Sequence, residues 1–238
     1  MDEHNIFYVP AGSMGGAAVH IKGSRLAHIK GALRKRKGES IHLTDGTGCL
    51  YEAKIDSLTR SSLSAKIVHK RMMPRRYDVD ITLAFAPLKG MRNEMIIEKG
   101  TELGVVRFVL FPSRRSVVRN MSSQKIVRFM KIAQSAMTQS QQYYLPEIMH
   151  VQTIDDLFIR DNSYDKMYVA EPSGMKAMPT GGKRILLLIG PEGGFTESEL
   201  DSFLGRGVQT MYLGSARLRS ETAAIVGITK ILLAAGQI

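Results

Sequence analysis

From residue 79 onward, short apolar runs alternate with longer stretches of helical period. Val79 to Ala86, Val105 to Phe111, Lys166 to Ala170, Ile185 to Ile189 and Gln209 to Leu213 each read as a strand. Met91 to Leu103 reads as a helix that stops at Gly104. Ser122 to Gln142 repeats apolar residues at Ile126, Phe129, Met130, Ala133 and Met137, one stripe of a helix, while Lys125, Arg128 and Lys131 share another face. The alternation predicts an α/β domain with a mostly parallel sheet of five strands. The last helix, Ser220 to Ala235, is apolar nearly all round, with only Glu221 and Lys230 charged. That pattern predicts burial in the core or against a partner chain.

The first third follows a different rhythm. Ile41 to Thr44 and Cys49 to Ile55 flank Asp45-Gly46, a hairpin pattern, and Leu63 to Val68 supplies another strand. His28 to Arg36 reads as a short basic helix or turn. A small β-barrel is expected, followed by a linker from Lys70 to Tyr77 that contains Pro74. Residues 1–77 and 78–238 are thus expected to be separate domains.

Charge sharpens this division. Of a net +11, residues 1–77 carry 14 Lys/Arg against 6 Asp/Glu, and residues 78–238 carry 19 against 16. The densest run is Arg34-Lys-Arg-Lys37, with Lys22, Arg25 and Lys30 before it and Arg71, Arg75 and Arg76 after it. Such a surface attracts polyanions by releasing their counterions, so Lys22, Arg25, Arg34 and Arg36 are expected to contact RNA. The single cysteine, Cys49, excludes an internal disulfide, and the six histidines show no metal spacing. No metal is expected. No apolar run reaches membrane-spanning length and Met1 to Val9 lacks an apolar stretch, so a cytoplasmic protein is expected.

Two motifs carry the candidate chemistry. Ile185-Leu-Leu-Leu-Ile-Gly-Pro-Glu-Gly-Gly-Phe195 runs from an apolar strand into glycines, then into Thr196-Glu-Ser-Glu199, a capping box. Leu213-Gly-Ser-Ala-Arg-Leu-Arg-Ser-Glu-Thr-Ala-Ala224 repeats the design, with Ser220 as the expected cap. Two glycine-marked strand ends can form two backbone loops at one sheet edge, where open α/β folds bind ligands. Neither motif is a P-loop or a Gly-x-Gly-x-x-Gly fingerprint. Arg217 and Arg219 precede a helix N-terminus, where cations are unfavourable, which implies that they face something anionic.

With Lys99-Gly-Thr-Glu-Leu-Gly-Val105, Arg115-Ser116 and Gln139-Ser140, these motifs resemble the 16S ribosomal RNA (uracil(1498)-N(3))-methyltransferase family, a branch of the SPOUT methyltransferases. The resemblance implies a C-terminal α/β domain with a deep trefoil knot and an N-terminal PUA-like RNA-binding barrel. It implies S-adenosyl-L-methionine as cofactor, a homodimer, and 16S ribosomal RNA of the small subunit as substrate. By position, Leu188, Gly190, Gly193, Leu213, Gly214 and Leu218 would wrap the cofactor, with Pro191 and Glu192 in the same loop. Arg219 would stabilise negative charge on the uracil oxygens, with Arg217 as alternate; Glu221 would orient an arginine or accept the proton through water. Lys89, Arg92 and Arg115 would face RNA, whereas Lys99 fits a structural ion pair equally well. After Gln139-Ser140 the family pattern continues Gly-Arg, and this chain has Gln141-Gln142. Two other readings share most of these residues: an RNA-binding or ribosome-assembly factor without catalysis, and a methyltransferase for another RNA position.

Overall fold

A computed structural model describes residues 5–23, 26, 29, 36–119, 121–160, 163–176 and 181–238. The chain divides into two compact units: residues 1–76 with 134–145, and residues 77–133 with 146–238. The first unit thus includes a segment, 134–145, that a linear division at residue 77 leaves out.

The first unit is a six-stranded sheet built from β1 (Ile6–Tyr8), β2 (Met14–Gly15), β3 (Ala18–Lys22), β4 (Ser40–Thr44), β5 (Cys49–Leu58) and β6 (Ser62–Met72). Its spatial order is β1-β4-β5-β6-β3-β2; β1 and β4 run parallel and the remaining pairs are antiparallel. Period-two alternation turns Val19, Ile21, Ile41, Leu43, Ile55 and Leu63 into one core. β1 and β2 lie at opposite ends of the order, so the expected barrel is a half-barrel. Register shifts mark two bulges, one on β6 opposite Glu52/Ala53 and one on β5 between Ile55 and Ser57, and bulges bend the strand and increase its twist. The predicted hairpin is present, and β6 continues through Lys70 and Arg71, into the expected linker. The predicted turn from His28 to Arg36 lies outside the described residues except for Ile29 and Arg36.

Segment 140–145 is laced to the β4–β5 turn. Gly48 N–H donates to the Tyr143 carbonyl and Leu145 N–H to that of Gly46, both at 2.8 Å. A Cβ on Gly48 would lie 2.3 Å from the Tyr144 ring, so only glycine fits there. Gln141 has φ of 54°, the one non-glycine residue with positive φ among those described. The family pattern has glycine at this position, and a side chain there costs on the order of 1 kcal/mol.

The second unit is a parallel sheet of β7 (Asp80–Phe85), β8 (Arg107–Leu110), β9 (Glu147–His150), β10 (Lys166–Met175), β11 (Arg184–Ile189) and β12 (Gln209–Met211), in the order β12-β10-β11-β7-β8-β9. Its helices are α1 (Arg92–Glu102), α2 (Ser123–Gln139, which continues into the first unit), α3 (Ile154–Arg160), α4 (Glu197–Gly205) and α5 (Ser220–Ala234). The sequence pattern predicts five of the six strands. β9, only four residues long, was not anticipated. Val169, Leu186 and Leu188 pack with Leu157 of α3 and Phe203 of α4. Glycines admit close contact elsewhere: a Cβ on Gly100 of α1 would lie 2.6 Å from Phe108, and one on Gly227 of α5 would lie 2.8 Å from Leu187.

Within this chain α5 buries only one face, with Ala224, Ile228, Ile231 and Leu232 inside and Leu233 57% exposed. Among the described residues, no helix is long and apolar enough to cross a membrane.

Because every strand pair in this sheet is parallel, all strand C-termini share one edge. From β7 the chain moves outward through β8 and β9, whereas β11 on its other side leads toward β12. The order therefore reverses between β7 and β11. Ligands of open α/β folds bind beyond the strand ends at such a reversal.

Candidate active site

The loops at this reversal are held by specific bonds. After β7, the buried Asn93 side chain accepts from Leu88 N–H and donates to the Leu88 carbonyl, both at 2.8 Å. This clasp fixes the start of α1 and therefore Arg92. After β11 comes the first glycine motif. Pro191 is buried, and Phe195 stacks on Phe111 at 6.2 Å and meets Phe203 edge-on at 5.1 Å. Gly190 lies against that ring: a Cβ there would sit 3.2 Å from Phe195.

The predicted capping box is present: the Thr196 side chain accepts from Glu199 N–H, and the Glu199 carboxylate accepts from Thr196 N–H. Glu199 does more than cap. It also accepts from Arg114 N–H at 2.8 Å, joining the loop after β8 to the loop after β11. Burial raises the pKa of this carboxyl, but hydrogen bonds from Thr196 and Arg114 outweigh that effect and hold it below its ordinary value. Arg115 adds a second staple, donating to the Gly193 and Phe195 carbonyls at 2.9 and 3.1 Å.

Arg92 joins the two motifs. Its guanidinium lies 2.8 Å from the Glu192 carboxylate in the first and 3.8 Å from Glu221 in the second. Glu221 is 6% exposed, and its Oε2 is buried with no hydrogen-bond partner. A buried polar atom left unpaired costs about 1–3 kcal/mol, and more when charged, so a donor from a ligand would relieve a real deficit. Arg217 reaches the Glu192 carbonyl at 3.4 Å. Arg219 is exposed at the N-cap of α5, where no side chain caps the helix. The expected Ser220 cap is therefore incorrect: Ser220 is already the first helical residue, and the extended N-cap conformation belongs to Arg219.

The remaining predicted positions divide clearly. Leu188 is fully buried in β11, so only its backbone could meet a ligand. Leu213, Gly214 and Leu218 are half-buried, and a Cβ on Gly214 would have no neighbour within 4 Å. Lys89 is exposed on the loop after β7. Lys99 lies 2.8 Å from both Glu98 and Glu102, a structural ion pair, and Glu102 and Glu98 raise its pKa. Lys22 and Arg36 are exposed on the first unit, while Arg25 and Arg34 lie outside the described residues. The sequence reading missed the link from Arg92 to both glutamates and the second role of Glu199; neither leaves a local signal in sequence. Among the described residues no acidic, histidine or cysteine cluster could hold a metal.

Comparison with known proteins places this arrangement in a class. The chain belongs to the RNA methyltransferase family, whose domain matches residues 75–232. It is 30% identical over 225 residues to ribosomal RNA small subunit methyltransferase E of Bacillus subtilis (strain 168), covering 89% of this chain and 88% of that protein. The Rickettsia conorii protein of the same name is 26% identical, with 97% and 96% covered. A crystal structure of ribosomal RNA small subunit methyltransferase E from Neisseria gonorrhoeae, bound to S-adenosyl methionine, matches with a TM-score of 0.86 at 26% identity and covers 98% of each chain.

Proposed function

We propose that this protein transfers the methyl group of S-adenosyl-L-methionine to ring nitrogen 3 of the uracil at position 1498 of 16S ribosomal RNA. The observation that carries this reading is the junction of Arg92, Glu192 and Glu221 between two glycine loops at the sheet reversal. The residues fit the cofactor on their own chemistry. Gly214 offers open backbone, Gly190 backs onto a fixed aromatic ring, and Glu221 Oε2 needs a donor. Backbone from Leu188 to Gly193 and from Leu213 to Leu218 would hold it, with Pro191 and Glu192 shaping the first loop.

The cofactor supplies an electrophilic methyl, so the protein's task is positioning and charge stabilisation. Arg219, always cationic, stabilises charge that develops on the uracil oxygens, and Arg217 supports it. Glu221, oriented by Arg92, receives the ring proton through water. Lys22, Arg25, Arg34 and Arg36 hold the RNA backbone, with Lys89 beside the reacting loops; Arg115 serves those loops from within. Residues 1–77 form the RNA-binding module and residues 78–238 the methyltransferase module, with the knotted path that the family resemblance implies. The apolar side chains left exposed on α1 and α5 and at their ends, Met95 and Leu233 with Met91 before α1 and Ile238 after α5, are the surface of a homodimer.

Incubating the protein with small-subunit RNA and labelled cofactor, then mapping the product by mass spectrometry, tests this reading. A single N3-methyluridine at position 1498 is expected. Methylation at another nucleotide or ring atom would replace the target, and absence of transfer on every ribosomal substrate would overturn the enzyme reading.

A further inference from the structure

Lys230 is the only charged residue of α5 after Glu221, and a lysine on so apolar a helix calls for a partner. Its ammonium donates to the Tyr212 carbonyl at 2.7 Å and to the Lys176 carbonyl at 3.3 Å. Both acceptors lie just beyond the C-terminal ends of parallel strands: Tyr212 follows β12 and Lys176 follows β10. A carbonyl that accepts from an ammonium forms one of the stronger hydrogen bonds available in a protein.

Tyr212 is held on its other side as well. Its N–H donates to the Met175 carbonyl at 3.1 Å, and the Lys176 ammonium lies 5.7 Å from its ring centroid. Beside it, β10 bulges: Ala170 and Met175 both pair with Met211. Gly174 approaches so closely that a Cβ would sit 2.4 Å from the Met211 carbonyl carbon. The peptide groups on both sides of Tyr212 are therefore fixed just before Leu213-Gly214 leaves the sheet. Beyond that point the loop has little internal support, since Ser215, Ala216, Arg217 and Arg219 are all exposed.

The geometry points to Lys230 as a positioning residue: its ammonium sets the direction in which the second glycine loop departs, and so the shape of the half of the cofactor site made by residues 213–218. This rests on the reading that those residues bind S-adenosyl-L-methionine. Lys230 acts through the Tyr212 carbonyl and touches no reacting atom.

The test compares the wild type with Lys230→Met, which keeps the length of the side chain without its charge, and with Lys230→Arg, which restores a donor. Cofactor affinity is measured by calorimetry, steady-state kinetics separate KM for cofactor from kcat, and hydrogen exchange follows residues 212–219. Lys230→Met is expected to weaken cofactor binding about ten-fold, the effect of losing one charged hydrogen bond. KM for cofactor should rise more than kcat falls, with partial rescue by Lys230→Arg and faster exchange confined to residues 212–219. Wild-type affinity in a folded Lys230→Met protein overturns the proposal, as does unchanged exchange in that loop, which is read without cofactor. If Lys230→Met does not fold, Lys230→Gln takes its place: faster exchange in residues 212–219 and weaker affinity than wild type support the role, and identity with wild type removes it. Failure of the wild type itself to bind cofactor would count against the proposed function, a different result from loss in the variant alone.

Discussion

The two glycine loops at the sheet edge share a design in sequence yet are held in different ways. The loop after β11 is fastened along its length: Arg115 binds two of its carbonyls, Glu199 ties it to the loop after β8, and Phe195 stacks on Phe111. The loop after β12 is fixed where it begins, by Lys230, and its Arg217 then donates a long hydrogen bond to the Glu192 carbonyl of the first loop. Preorganisation reduces the ordering cost of binding, so the first loop is suited to be a standing cradle. The second places exposed arginines where a substrate can reach them.

That contrast separates loss of chemistry from loss of binding. The largest effect is expected at the second loop: Arg219→Ala should lower methyl transfer by about 100-fold or more, the scale for removing a charge-stabilising donor, while calorimetry shows cofactor affinity nearly unchanged. A parallel loss of affinity would make Arg219 part of the cradle. At the first loop the balance should reverse. Arg115→Ala removes both carbonyl contacts and is expected to weaken cofactor binding about ten-fold, with a smaller change in kcat; titration and kinetics on one preparation check this.

Acid should loosen the first loop through Glu199. The Glu199 carboxyl is held below its ordinary value of 4.5. Its stabilising contribution is complete above that ordinary value and is lost as pH falls through the lowered folded value. Thermal melts from neutral pH downward should show this decline, and Glu199→Gln should be less stable at neutral pH and less sensitive to acid. Equal acid sensitivity in the two proteins would remove Glu199 as the titrating staple. The smallest effect is a control outside the site. Gln141→Gly relieves a left-handed backbone and should raise stability by about 0.5–1 kcal/mol, read from urea unfolding, with transfer unchanged.

Much of the second unit was legible in sequence because its strands are continuous apolar runs between helical patterns, with glycines at their ends. Thr196 and Glu199 declared a capping box through spacing alone. β9 escaped because Glu147–His150 is short and polar at both ends, and it is recognised only through its pairing with β8. β1 and β2 escaped for a related reason: Ile6–Tyr8 and Met14–Gly15 are too short to show a period. The half-barrel's curl comes with bulges in β5 and β6 that alternation does not record. The Arg92–Glu192 pair joins residues a hundred positions apart, and no local pattern announces such a contact. Gln141 shows the reverse case, in which the family's glycine marked a backbone conformation that this chain keeps without it.

The central claim is that the two loops form one site for S-adenosyl-L-methionine, and direct calorimetric titration of the full chain with that compound tests it most plainly. Saturable binding with one site per chain is expected, retained in Arg219→Ala and weakened in Arg115→Ala. Folded wild-type protein that shows no binding heat, with RNA absent or present, would contradict it.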